Sequence, residues 1–509
     1  TQFIANEMDK SGLVLKEEDG RQVFIVSRGF EVTEKNIFYL DGASIRANEY
    51  TVLGFSATDT VTGKIVIARE ETFEQAGTAK GKILVLPLPE DLPEAAHDAY
   101  GILRAQCFDA EDLGALAVIY VATAEIPDLN VMQRNPIGIP ALVISSSVVL
   151  SKTGLSSEEL NGLLASENPV SMEDVTIRIE SEVLPGEITT YNTVGHLKGS
   201  DPGLSNQYVI IGAHHDHLGM GGRGSSSRRQ DTVAVHYGAD DNASGVAGVI
   251  ELAQKLMSEA PARSMVFTTF GAEEMGLHGS KFFSENPTID LASSQLMINL
   301  DMIGRLNEDR QLQIGGVGTS PVFRSILDSL NTTYNFTLAY ADAGYGPSDH
   351  SSFYAKDVPV LFISTGAHPD YHTPADNAGS LNYPGMVEVL NYISDVALEL
   401  ANRQEKIAFT LAGPKEASGS RGRMGMVTFG LMPDVMYDGN EGMPVSFVTE
   451  GKPAAIGGMK GGDIIIAVDG KRVGNVQDYM ERLSELKEGQ SVVVTVLRDE
   501  KKIELLLKL

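Results

Sequence analysis

The chain is poor in cysteine and in basic residues, and it has no long apolar run. A single cysteine, Cys107, stands among 509 residues, so no intrachain disulfide can form. That thiol reads equally as a buried apolar group or a reactive one. Lys and Arg number 40 against 68 Asp and Glu, for a net charge of −28. This balance argues against nucleic acid and anionic membrane surfaces as partners. No apolar stretch is long enough to span a bilayer. Neither a basic n-region nor a signal-type apolar region follows Thr1.

What the chain does hold is a set of short polar motifs. They are Ala213-His214-His215-Asp216, Gly238-Ala239-Asp240-Asp241-Asn242-Ala243-Ser244-Gly245, Glu273-Glu274, Asn299-Leu300-Asp301-Met302 and Tyr371-His372-Thr373. Apolar runs at 208–212, 265–270, 296–300 and 358–364 lead into the first, third, fourth and fifth of them. Continuous runs of this kind predict strands buried on both faces of a largely parallel sheet. Such sheets bind ligands at the carboxyl ends of their strands. Between the first two runs, Val246, Val249, Ile250, Ala253, Leu256 and Met257 recur at helical spacing. They predict a helix over 244–260, its positive N-terminal end toward the carboxylates before it.

Imidazole and carboxylate without cysteine suit zinc or a similar divalent ion. A two-ion site needs one carboxylate able to bridge, further ligands on each ion, and one carboxylate left free to move a proton. His214, Asp240, Glu274, Asp301 and His372 supply the ligands, which leaves Glu273 as the base. Asp216, two residues after His214, is placed to hold that ring's other nitrogen. A lone His-x-Asp or Glu-Glu pair is common on surfaces; the weight lies in all five motifs together. The remaining histidines of this region, His215, His217, His236, His278, His350 and His368, read as packing or solvated groups. Of these His350 is best placed to support a ligand. Arg305 reads as a solvated arginine and residues 219–230 as a surface loop.

In these motifs and their order, residues about 170–405 resemble the catalytic domain of the di-zinc exopeptidases that include bacterial leucyl aminopeptidases and glutamate carboxypeptidase II. Met275-Gly276-Leu277-His278-Gly279-Ser280 and Ser348-Asp349-His350-Ser351-Ser352-Phe353 extend the match. The resemblance implies an α/β fold: a mixed, largely parallel sheet flanked by helices, with two Zn2+ ions. It implies that Asp240 bridges them, that His214 and Asp301 complete one, and that Glu274 and His372 complete the other. Glu273 matches the general base. Tyr345 matches a tyrosine that helps stabilise the oxyanion, and Asp241 a position that follows a cis peptide bond. The implied activity is removal of N-terminal residues from peptides, the free amino group held by a metal and nearby carboxylates. A one-zinc glutaminyl cyclase and a carboxypeptidase of acidic dipeptides remain as alternatives. A non-catalytic receptor on this scaffold would have lost ligands, and none is lost. Relatives with this architecture are commonly exported, so a secreted or periplasmic location, with the signal removed, is expected.

Length suggests about three domains. Residues 1–25, with a helix at 2–11, go with the peptidase domain. Residues 26–165 carry β-like runs at 63–68, 82–87, 116–121 and 141–145 and a helical segment at 95–113. Lys80-Gly81-Lys82-Ile83-Leu84-Val85, residues 112–119 and Ile139-Pro140-Ala141 resemble the protease-associated domain, which in the family forms a lid or substrate-shaping wall. The catalytic domain takes 166–405. Gly, Pro, Ser and Arg mark a linker at 406–423. Within 424–509, Gly451-Lys452-Pro453-Ala454-Ala455, residues 457–465 and Val468-Asp469-Gly470-Lys471 resemble a PDZ domain of the bacterial protease type. Residues 476–486 read as its helix, capped by Asn475, and 491–498 as a strand. Such domains bind extended peptide ends by strand addition, backbone amides holding the terminal carboxylate. The candidate loop is Phe429-Gly430-Leu431-Met432. Peptide substrates, and a peptide C-terminus at the PDZ-like domain, are the expected partners.

Overall fold

The apolar runs ahead of the motifs are strands of one nine-stranded sheet. In chain order its strands are β1 (Val14–Leu15), β2 (Arg21–Val32), β3 (Val183–Leu197), β4 (Tyr208–His214), β5 (Ser264–Phe270), β6 (Ser294–Leu300), β7 (Gln311–Gly315), β8 (Thr337–Tyr340) and β9 (Val360–Ser364). The sheet order is β1-β3-β5-β4-β6-β9-β7-β8, with β2 paired to β3. The inner strands β5, β4, β6 and β9 run parallel. The flanking β3 and β7 are antiparallel to them.

This computed structural model describes residues 1–17, 19–69, 72, 79–89, 92, 96–123, 136–222, 225–229, 231–415, 428–433, 442–448, 451–474, 478–479, 482–483, 486, 489–498 and 501–509. They fall into two units, residues 1–24 with 190–509 and residues 25–189.

Alternation along the inner strands explains why their apolar runs are unbroken. Val209, Ile211 and Ala213 of β4 pack into a core with Met8, Val249, Ala253, Leu256, Val389 and Ile393. Ile210, between them, packs into a second core with Val266, Met297, Phe283, Phe353 and Tyr354. The first core is covered by α1 (Gln2–Lys10), α2 (Gly245–Glu259), α4 (Phe323–Tyr334) and α6 (Tyr383–Asn402), the second by α3 (His278–Glu285) and α5 (His350–Tyr354). With both faces covered, apolar side chains dominate both faces of these strands. The helix expected at 244–260 is α2, and its first amide is engaged: Gly245 N donates to Asn242 Oδ1 at 3.0 Å.

The 25–189 unit carries an eight-stranded sheet. Strands Asp59–Ile67, Ile83–Pro87, Ala117–Ala122 and Ala141–Ser145 run parallel through its middle. The catalytic domain was expected to begin at 166; instead Val170–Ser181 belongs to this second sheet, antiparallel to Ile37–Leu40 and Asp59–Ile67. The unit therefore extends past the expected end at 165. Partners more than a hundred residues upstream decide this, and local composition does not report them. Cys107 is buried on helix Ala96–Asp112, 3.5 Å from Tyr120 Oη, and burial pushes its thiol up to about 12. It is a core residue.

The C-terminal sheet joins Leu431–Pro433, Met443–Val448, Ile464–Val468, Ser491–Arg498 and Lys501–Lys508 in that order. Met443, Val445, Ile465, Val492, Val494, Val496 and Phe429 form its core. Arg498 clamps buried Asp463 through two bonds of 2.6 and 2.7 Å. Asn475 and the start of the expected helix lie outside the described residues.

Candidate metal centre

Four motifs arrive at the carboxyl ends of the parallel strands. His214 ends β4 and Asp301 directly follows β6. Glu273 and Glu274 lie in the turn after β5, and His372 in the loop after β9. The backbone of these loops is unusual. Ala272, Met302 and His372 have φ of 56°, 59° and 55°, in the left-handed region that non-glycine residues seldom occupy. Such backbone persists where the surroundings over-determine it, and it clusters at functional sites.

Asp241 stands between the two histidines. Its Oδ1 is 3.3 Å from His214 Nε2 and its Oδ2 is 3.1 Å from His372 Nε2. Asp301 Oδ1 is 3.6 Å from the same His214 nitrogen, and Glu274 Oε1 is 3.3 Å from His372 Nε2. Two donor groups result, one around His214, Asp241 and Asp301, the other around Asp241, Glu274, His217 and His372.

Asp240, the expected bridging residue, is turned away. Its Oδ1 accepts from Gly304 N at 2.7 Å, and its Oδ2 faces His368 Nε2 at 3.2 Å. The backbone is the reason. Asp240 N and Asp241 N both donate to the buried carboxylate of Asp376, at 3.0 and 3.1 Å. Asp241 is extended (φ −107°, ψ 87°), so consecutive side chains leave on opposite sides. The cis peptide bond is Asp241–Asn242, so Asp241 precedes it.

Asp216 also acts differently from the expectation. His214 Nδ1 donates to the backbone carbonyl of Asp216 at 3.1 Å; the carboxylate lies 3.9 Å away. That carboxylate accepts the amides of Glu273 and Glu274, at 2.9 and 3.2 Å. It braces the glutamate turn. His372 Nδ1 likewise donates to a carbonyl, Ser226 O, at 3.0 Å. A carbonyl only accepts, so both rings carry the Nδ1 proton and both Nε2 atoms can offer a lone pair toward Asp241. On the far side, Ser348 Oγ donates to Asp301 Oδ2 at 2.7 Å and receives Asn299 Nδ2 at 2.8 Å.

The site gathers negative charge. Burial, then Asp349, Asp301 and Glu274, push the Glu273 carboxyl well above the usual range against the pull of His214. Burial opposes charge on His372, yet Asp241 and Glu274 raise its pKa to about 10. Asp241 Oδ2 is buried and takes no hydrogen bond although His372 Nε2 is 3.1 Å away. An imidazole nitrogen and a carboxylate oxygen at this spacing, amid excess carboxylate, suit a divalent cation that takes the place of the Nε2 proton. An ion at this centre displaces the second proton of His372. Metal uptake at neutral pH should therefore release protons, and apparent affinity should rise with pH toward about 10. Titration in weakly buffered solution checks this; uptake without proton release would contradict it.

A cleft of about 520 Å³ opens over these groups. Glu273, Tyr345, Tyr371, Met302 and Phe362 line it, together with Pro433 of the C-terminal sheet. Tyr371 stacks on His372 with ring centres 3.8 Å apart. Arg305 is anchored, not free, through Asp370 at 3.0 Å and Ser380 at 2.7 Å. His350 is a buried neutral ring against Phe362, its pKa lowered to about 3 by burial.

Three residues of the site escaped the sequence reading: His217, Tyr371 and Asp376. Tyr371 at least sat within a motif. Asp376 offers no signal, being one acid in a loop, yet two buried amides depend on it. Asp376→Ala leaves both unpaired, at about 1–3 kcal/mol each. A loss of roughly 2–6 kcal/mol of stability in denaturant titrations of metal-free protein is expected. A loss below 1 kcal/mol, by the same titration, would mean water replaces the carboxylate.

Residues 192–397 match the model of peptidase family M28, and residues 422–509 that of the PDZ domain. Leucine aminopeptidase 2 of Arthroderma otae is 26% identical over 322 residues, which cover 61% of this chain and 56% of that protein. The uncharacterized protein YfbL of Escherichia coli strain K12 is 30% identical over 215 residues, covering 36% of this chain and 64% of that one. The solved zinc aminopeptidase from Bacillus subtilis is 21% identical at a TM-score of 0.44, covering 80% of this chain and 90% of that one. The chain thus spans between half and two thirds of the length of these two curated relatives. Residues 192–397 are thus similar to peptidase family M28, and residues 422–509 to the PDZ domain.

Proposed function

We propose that this protein is a two-metal aminopeptidase acting on peptides with a free amino end. The observation that carries the reading is Asp241, with one carboxylate oxygen toward His214 and the other toward His372. The family match and the leucine aminopeptidases among its relatives support it. His214, Asp241 and Asp301 would hold one zinc, and Asp241, Glu274 and His372 the other. Bound there, the ions would polarise the scissile carbonyl and lower the pKa of a shared water.

The chain's own groups do the rest. Glu273 takes a proton from the attacking water and hands it to the leaving amine. It lines the cleft that opens over the metal-binding groups. Tyr345, on the cleft wall, donates to the carbonyl oxygen as negative charge develops there. The surplus carboxylates hold the substrate's amino group and so favour cleavage at that end.

A panel of aminoacyl and amino-blocked fluorogenic substrates, run beside metal analysis, tests the reading. Cleavage of the free-amine substrates alone, with two ions per chain, is expected. One tightly held zinc and cyclisation of N-terminal glutamine would point to the cyclase chemistry. Cleavage of acidic dipeptides at the carboxyl end would point to a carboxypeptidase.

The PDZ domain is expected to tune substrate choice without serving the chemistry. Residues up to Lys415 are tied to the catalytic unit: Gly344 N donates to Ala412 O, Tyr354 Oη to Gly413 O, and Lys415 pairs with Asp357. Beyond that point, Pro433 is the described residue that reaches the cleft. Truncation after Lys415 should spare a small aminoacyl substrate and change rates on longer peptides. Loss of small-substrate cleavage in a folded, metal-loaded truncation would mean the domain completes the active site.

A further inference from the structure

We infer that His217 is a fourth protein ligand at the Glu274 centre, which makes that centre the tightly held one of the pair; the inference rests on the two-ion reading above. His217 Nδ1 is 2.9 Å from Glu274 Oε1 and 3.8 Å from Asp241 Oδ2. His372 Nε2 faces the same two oxygens at 3.3 and 3.1 Å. Donors each bonded at ~2.1 Å to one tetrahedral ion stand about 3.4 Å apart. These four imidazole–carboxylate separations bracket that value, and His217, Asp241 and Glu274 form one donor group, so an ion held by Asp241 and Glu274 lies within reach of His217.

The ring is held in place. A Cβ at Gly238, whose φ is 56°, would come within 2.7 Å of His217 Cγ, so the glycine lets the imidazole lie flat against the turn that carries Asp241. His372 packs against it edge-on, with ring centres 5.7 Å apart. His217 Nε2 is buried without a hydrogen-bond partner, so no second contact turns the ring away from the site.

The two centres are then unequal. The His214 centre has three protein ligands, His214, Asp241 and Asp301, and keeps a position open for water or the substrate. The Glu274 centre has four, and the shared water would come to it as a fifth ligand. Zinc should fill the Glu274 centre first and leave it last.

The test is zinc X-ray absorption at one and two equivalents, with chelator competition, on the full chain and on His217→Gln. Glutamine keeps a donor for Glu274 but is a poor zinc ligand. In the native protein the first zinc should show two imidazoles, and the second should add a centre with one. His217→Gln should reduce the first zinc to one imidazole and weaken its retention by at least about 100-fold, above what supporting residues contribute. Thermal unfolding without metal should match the native protein. A single imidazole on the first zinc of the native chain, or unchanged retention in His217→Gln, overturns the proposal and leaves His217 a hydrogen-bond donor to Glu274. The native spectrum decides the matter if the variant does not fold. No zinc uptake at all by the native chain would instead remove the two-ion reading itself.

Discussion

Asp241→Asn should strip the protein of both ions at once. Each carboxylate oxygen faces a different histidine, at 3.3 and 3.1 Å, so one substitution takes an anionic ligand from both centres. The amide keeps one weak acceptor oxygen and turns an N–H toward the other imidazole. Partners that only support a ligand contribute about 10–100-fold to metal affinity. A residue bonded to both ions should exceed that, and apparent affinity should fall by ~10³-fold or more at each centre, with activity following. Asp240→Asn is the matched control. Its Oδ1 can still accept from Gly304 N, and nothing places it against His214 or His372. Two ions per chain should survive that change. Equilibrium dialysis of both variants separates the outcomes. Retention by Asp241→Asn together with loss in Asp240→Asn would reverse the assignment.

Glu273→Gln should keep the metal and lose the turnover. The side chain lines the cleft, and its loop is braced by Asp216 through the amides of Glu273 and Glu274, a brace the substitution leaves intact. Glutamine fills the same volume but cannot take a proton. General bases contribute about 10²–10⁴-fold, and here the base also prepares the nucleophile, so a fall in kcat toward the upper end is expected with metal content unchanged. Steady-state kinetics beside metal analysis reads both. Hydrolysis within ten-fold of native would remove Glu273 from its role, since that lies below the range for a general base.

The four parallel strands were legible because burial on both faces writes an unbroken apolar run. The candidate ligands at their ends stood out for the same reason: His214 and Asp301 are the residues where those runs stop. Adjacent acids were harder. Asp240 and Asp241 are chemically alike, and the choice between them is made by Asp376 and Gly304, distant in sequence, which hold the turn's amides and the Asp240 carboxylate. His217 failed for a related cause. It lies beyond the end of β4, where strand alternation no longer says which way a side chain points, and only the contact with Glu274 reveals it. The boundary near 166 was hidden because strand Val170–Ser181 finds its partners across long sequence separations.

Anomalous scattering at the zinc edge from crystals of the loaded protein tests the centre most directly. Two peaks are expected, roughly 3.5–4 Å apart as in other paired-metal sites, one on each side of the Asp241 carboxylate. A single peak, or a pair lying against Asp240 with Asp241 unliganded, would contradict the account.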